Sequence, residues 1–298
     1  MLGDNTTRAG TGPAQVLMPR SEAGKPIGHP GVSSFAPGFA RRRAGVCDNR
    51  RMPYFEGARG RLHYRHWPVD HSTATLALLP GTGQHSGHYH RFARALAPAG
   101  IELWTLDTSG HGLSEGNPDR PGTLPELAAD ALAFLTLLPA QPPHFLMGHS
   151  LGAATAVAAL PSTSQLAGLI LCGTPKAVLE GRPPNSARGS AVDPRRHASA
   201  ARGDHASNLA GGESVPTLPG GGIGDGREAV LPEGIPVLFV HGVDDRRTPV
   251  EPVREWARRA AAEFREYEDA GHDLLHEPVH AEVTADIADW VRSVVGRL

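Results

Sequence analysis

The sequence predicts an α/β chain built on a mostly parallel, doubly wound sheet, and three observations carry that reading. First, five short apolar runs, at residues 75–80, 101–107, 144–149, 166–173 and 236–242, each close at or beside Gly, Asp or Pro. Runs of that length with no polar alternation suit strands covered on both faces. Second, helical spacing separates or follows them. Leu124, Leu127, Ala128, Ala131, Leu135 and Leu138 keep one face apolar, and Val283, Ile287, Trp290, Val291, Val294 and Leu298 do so again near the end. Third, strand-like and helix-like segments take turns along the chain, the order that winds a parallel sheet.

The elements follow in order. Residues 1–51 hold 8 Gly, 5 Pro and two aromatics with no sustained period, which reads as a flexible tail ahead of a domain at 52–298. From Tyr54 the texture changes. "YFEG" and "RLHYRHW", parted by Gly57 and Gly60, read as a hairpin. The alternating runs come next, and a further helix is expected over residues 250–262. Residues 175–234 interrupt them with 11 Gly, 7 Pro, no Phe, Trp or Tyr and only 9 residues drawn from Val, Ile, Leu and Met. That is too little apolar surface for a core of its own, so the segment reads as a mobile insertion between two strands.

Composition narrows the function. With 298 residues and 40% apolar content the chain can bury a sizeable core. A formal charge of -2 argues against a nucleic-acid partner, which calls for a basic excess. Cys47 and Cys172 lie far apart with no ligand spacing, so neither a disulfide framework nor a zinc site is expected, and a reducing cytoplasm fits. No run approaches the roughly 18 apolar residues of a membrane span. Arg41, Arg42 and Arg43 are followed by no apolar stretch of a secretory signal.

The sharpest chemical signal is Gly148-His149-Ser150-Leu151-Gly152, a GxSxG set between the run "HFLMG" and the helix-forming "LGAATAVAAL". A strand that turns tightly into a helix there needs small neighbours, lifts the serine hydroxyl off the sheet and aims free helix N–H groups at developing negative charge. Alone the pattern can be a structural turn. Its strand and helix flanks favour a nucleophile.

A serine hydroxyl needs a base held by a third group. "PVLFVHGVDDRRTPV" places Asp244 and Asp245 just past an apolar strand. Asp245 is the expected orienting acid, with Asp244 the alternative and helix capping the structural reading. His272 follows "FREYEDAG" one helix and one strand further on, where the base must come from, with His276 its rival. The oxyanion needs two convergent N–H donors, expected from Leu151, next after the serine, and Thr82, in the loop "LLPGTGQHSG".

Together these residues resemble the monoacylglycerol lipase and lysophospholipase group of α/β-hydrolases, the serine aminopeptidase S33-like family, over about residues 54–174 and 235–298. The matching stretches are "FEGARGRLHYRHW", "PGTGQHSGHYHRFARAL", "DTSGHGLSEG", "GHSLGA", "HGVDDRRTP" and "AGHDLLHE". The resemblance implies an α/β-hydrolase fold and a lid at 175–234. It implies the nucleophile, acid and base at Ser150, Asp245 and His272, and oxyanion amides at Thr82 and Leu151. Two departures stand out. Pro80-Gly81 replaces the family's His-Gly, and the lid segment is polar and Gly-rich where the family's is apolar. In "DTSGHGLSEG" the family loop is architectural, which leaves Asp107 and His111 outside the triad.

The expected reaction is hydrolysis of a small-molecule carboxylic ester through an acyl-enzyme, without metal or organic cofactor. Short or medium acyl chains are favoured over micellar lipid. Thioester cleavage or acyl transfer would use the same intermediate. Aminopeptidase action would need acidic cap residues held in place to bind the amine, and Glu180, Glu213 and Glu233 are among the acidic residues of a segment without evident structure. A non-catalytic binding module would normally lack a triad member. Dehalogenase or epoxide hydrolase chemistry would need Asp where Ser150 stands.

Overall fold

The computed structural model describes residues 53–163, 165–179, 231 and 233–298. Eight strands form one sheet: β1 (Tyr54–Gly57), β2 (Gly60–Trp67), β3 (Ala74–Leu79), β4 (Ile101–Leu106), β5 (His144–His149), β6 (Leu166–Cys172), β7 (Val237–Gly242) and β8 (Glu263–Tyr267). Their order is β1-β2-β4-β3-β5-β6-β7-β8. The hairpin β1–β2 is antiparallel and β2 runs antiparallel to β4, whereas β3 to β8 pair in parallel.

The continuous apolar runs are explained by period-2 alternation between two buried faces. On one face, Ala77, Leu79, Leu146, Leu169, Leu171 and Phe239 pack against α2 (Leu124–Leu135), α3 (Leu151–Ala159) and α5 (Val250–Arg259). On the other, Leu76, Leu78, Phe145, Met147, Ile170 and Val240 meet α1 (His90–Leu96) and α6 (His280–Val295). Every residue of α3 is buried, which is why "LGAATAVAA" shows no polar stripe. By contrast α5 buries Val250, Val253, Trp256 and Ala257 and turns Arg254, Glu255 and Arg258 to solvent. At the head of α2 the Thr123 N–H donates to Glu126 Oε2 at 2.7 Å, a side chain reaching back to close the first turn.

Strand positions agree with the sequence expectation to within a residue or two, and α6 begins three residues before the first of its expected apolar positions. The helix α1 was not anticipated, because "HRFARAL" carries only one turn's worth of apolar spacing. The insertion opens with a short helix, α4 (Lys176–Leu179), whose Val178 and Leu179 are buried in the core shared with α5. The expectation of a mobile lid otherwise falls on residues 180–230 and 232, and that of a flexible tail on 1–51, outside the described residues.

Parallel strands bring their C-terminal ends to one edge, and the strand order reverses at β3, which sits between β4 and β5. A crevice forms where connections leave such a switch point in opposite directions.

Candidate active site

At the end of β5 the chain turns into α3 through Ser150, whose φ of 52° and ψ of -115° are foreign to L-residues. Holding it there costs roughly 1–3 kcal/mol, which the surrounding fold must over-determine. The flanking glycines allow the turn. A Cβ on Gly148 would collide with the Gly152 carbonyl, and one on Gly152 with the Leu79 carbonyl of β3. Ser150 N–H donates to Cys172 O on β6 at 3.0 Å, tying the turn to the next strand. Cys172 itself is free and buried, with burial pushing its thiol well up. Cys47 lies outside the described residues.

Residues from three separate loops meet at the serine. His272, after β8, places Nε2 2.8 Å from Ser150 Oγ and Nδ1 2.7 Å from Asp245 Oδ2. Asp245, after β7, is 4% exposed and uses its other oxygen to accept Arg247 N–H and Thr248 N–H at 2.8 and 2.9 Å. Burial alone would raise its carboxyl, but the hydrogen bond and charge of His272 together with those amides hold it below the ordinary range. Buried His241 donates from Nε2 to Thr248 O at 2.8 Å and lies 3.4 Å from Asp245 Oδ2. Asp244, the alternative acid, is exposed, and its backbone N–H goes to Ala270 O at 2.9 Å. His276, the alternative base, packs its ring 5.2 Å from Tyr89 rather than against the serine.

The loop holding His272 is fixed by one carboxylate. Glu277 accepts Gly271 N–H at 2.6 Å and Asp273 N–H at 2.8 Å, the amides on either side of the imidazole residue. Buried His149 donates from Nε2 to the His272 carbonyl at 2.9 Å, and burial followed by the nearby His272 pushes its own ring down to about 4. Sequence reasoning missed Glu277 and His149, although both lie inside the motifs "AGHDLLHE" and "GHSLGA".

The loop after β3 brings Thr82 to the same place. A Cβ on Gly81 would come within 3.2 Å of Ser150 Cβ, so this loop runs directly past the serine. Among the described residues the Thr82 and Leu151 N–H groups have no acceptor. The departure at Pro80-Gly81 therefore removes a side chain and leaves the backbone donor in place. Asp107 and His111 lie in the loop after β4. Asp107 accepts from His63 Nδ1, Leu113 N and Ser86 N at 2.9, 3.0 and 2.5 Å, a knot of contacts that engages none of Ser150, Asp245 and His272. No set of three or more His, Cys, Asp or Glu side chains among the described residues converges as a metal site. No described helix is long and apolar enough to cross a membrane.

Known proteins resemble this chain in sequence and in fold. Residues 70–189 match the family model described as serine aminopeptidase, S33. A monoacylglycerol lipase of Mycolicibacterium smegmatis is 26% identical over 291 residues, covering 83% of this chain and 99% of that protein. Human monoglyceride lipase is 31% identical over 126 residues, 40% of this chain and 42% of its own length. Among solved structures, a lipase in an open form superimposes with a TM-score of 0.62 at 21% identity, covering 82% of this chain and 99% of that one. A carboxyl esterase of Bacillus coagulans gives 0.60 at 15% identity, with 82% and 98% covered. At those identities the structures speak for the fold alone: the chain has the α/β-hydrolase fold and is similar in sequence to monoacylglycerol lipases.

Proposed function

We propose that the protein hydrolyses short- or medium-chain, water-soluble carboxylic esters through an acyl-enzyme on Ser150. The observation that carries the reading is the unbroken relay from Asp245 through His272 to Ser150 Oγ, at 2.7 and 2.8 Å. His272 takes the serine proton as Oγ attacks the ester carbonyl. Asp245 holds the imidazole with its proton on Nδ1 and stabilises the cation that forms. Thr82 and Leu151 amides receive the oxyanion. The protonated His272 then releases the alcohol, and water repeats the sequence on the acyl-enzyme. No step calls on a cofactor. The relatives named as monoacylglycerol lipases favour glycerol as the leaving alcohol, while the polar composition of 175–234 favours the shorter acyl chain over an aggregated lipid.

A panel of nitrophenyl esters and monoacylglycerols of increasing chain length, run beside Ser150→Ala, tests this. The variant should fold and lose at least about 10³-fold in turnover, with fluorophosphonate labelling abolished. Clear preference for long-chain monoacylglycerol with a rate jump at micelle formation would overturn the substrate class. A folded, active Ser150→Ala would overturn the mechanism.

A further inference from the structure

The amides on either side of Thr82 are both taken by side chains. Gly81 N–H donates to Gln84 Oε1 at 3.2 Å, and Gly83 N–H donates to His111 Nε2, also at 3.2 Å. Thr82 N–H alone is left without an acceptor among the described residues of this loop turn. Gln84 belongs to the loop itself. His111 comes from the loop after β4 and is 8% exposed.

The protonation of His111 is fixed by its partners. Its Nδ1 lies 3.0 Å from the Ser109 carbonyl, and a carbonyl can only accept, so Nδ1 carries the hydrogen. A backbone N–H can only donate, so the Nε2 that faces Gly83 is bare. Two backbone groups of opposite kind thus select one neutral tautomer. The loop that carries His111 is itself anchored, because Asp107 at its start accepts Leu113 N–H, Ser86 N–H and His63 Nδ1–H. Gly83 sits at φ +78°, where the chain swings with little steric restraint. Its peptide plane needs an external partner to stay put.

We propose that His111 is a positioning residue of the oxyanion hole: by accepting Gly83 N–H it orients the Thr82–Gly83 turn so that Thr82 N–H stays unspent and faces Ser150. This rests on the assignment of Ser150 as nucleophile and Thr82 as oxyanion donor. His111 touches no reacting atom. Its contribution is felt only when charge develops on the carbonyl oxygen, so it belongs in kcat and not in KM.

The test compares His111→Leu, which cannot accept, with His111→Gln, whose Oε1 reaches the position of Nε2. Each is measured for kcat and KM on nitrophenyl butyrate, for affinity to phenylboronic acid as a tetrahedral mimic, and for hydrogen exchange at the Gly83 amide. The Leu variant should lose about tenfold to a hundredfold in kcat with KM within about threefold, and the boronate should weaken in parallel. Its Gly83 amide should exchange faster, and Gln should recover most of each loss. In wild type, ¹⁵N spectra should show His111 with a bare Nε2. Turnover of the Leu variant within about twofold of wild type, a loss confined to KM, or Gln no better than Leu overturns the proposal. If Leu fails to fold, His111→Asn replaces it, being too short to accept from Gly83 while keeping a polar side chain. If wild type takes no fluorophosphonate at Ser150, the reading of the site falls. Gly83 exchange then still decides whether His111 holds the loop, and equal rates with and without the acceptor overturn that.

Discussion

Replacing Asp245 by Asn swaps one carboxylate oxygen for an NH₂ group at nearly unchanged volume, so it removes the negative charge that steadies the imidazolium and reverses the polarity of one hydrogen bond. Asp245 Oδ1 accepts two backbone N–H groups, from Arg247 and Thr248, at 2.8 and 2.9 Å. An Asn there must keep its oxygen toward those two donors. Its nitrogen then takes the place of Oδ2, 2.7 Å from His272 Nδ1. A donor now faces Nδ1, which must give up its proton to accept. The hydrogen moves to Nε2, where it meets Ser150 Oγ and removes the base. His241 Nε2–H, 3.4 Å from the same position, adds a second donor-to-donor conflict. Loss of the correct tautomer costs about 10²–10⁴ in turnover, or about 3–5.5 kcal/mol of transition-state stabilisation. The assay is initial rate on a soluble nitrophenyl ester for Asp245→Asn and Asp244→Asn, with circular dichroism to verify folding. Exposed Asp244 should be nearly silent. An Asp245→Asn enzyme within tenfold of wild type, or a crippled Asp244→Asn beside it, refutes the reasoning.

Three further outcomes follow from the geometry. Ser150→Gly relieves a backbone conformation that serine adopts under strain, and a gain of about 1 kcal/mol should raise Tm by roughly 2–4 °C while abolishing activity; an unchanged or lower Tm on thermal melting contradicts that. Glu277→Gln puts an NH₂ against one of two N–H groups and should loosen His272, lowering kcat about tenfold at near-constant Tm; unaltered kcat argues against the clamp. Asp130, 2% exposed, has its carboxyl raised by burial and one oxygen without a partner. Because the folded state binds that proton more tightly than the unfolded chain, the stability it confers is present at acid pH and fades as pH rises through the folded value. The Tm of Asp130→Asn minus that of wild type should therefore increase from pH 4 to pH 7, and a flat difference removes the argument.

The sheet was legible because strands covered on both faces read as unbroken apolar runs, and "TLALL", "FLMG" and "PVLFVHG" could be placed without knowing which side chain faced which layer. The serine was legible because the turn around Ser150 forbids a Cβ at Gly148 and Gly152, and such prohibitions leave glycine in the sequence. Asp245 and Asp244 could not be separated from composition. What separates them is the direction each side chain takes after β7, and only the fold sets it. The supporting contacts were harder still. His111 meets Gly83 across 28 positions, Gln84 meets Asp273 across 189 and His149 meets the His272 carbonyl across 123. Polar residues in surface-like loops carry no period to read, and their roles appear only when strand ends from distant parts of the chain converge.

That convergence bears on when the chain becomes competent as it folds. The relay joins Ser150 to a residue 122 positions downstream, and His272 to one 27 positions upstream, with β6, β7 and β8 laid down in between. Closing loops of that span before any contact rewards them is slow. A nascent or partly refolded chain can complete the hairpin, β3 to β5 and the Ser150 turn while still lacking a base. Catalytic power is thus withheld until β8 docks at the far edge and delivers His272, so activity regained during refolding trails the burial of Trp104 on β4 and reports the arrival of the last strand.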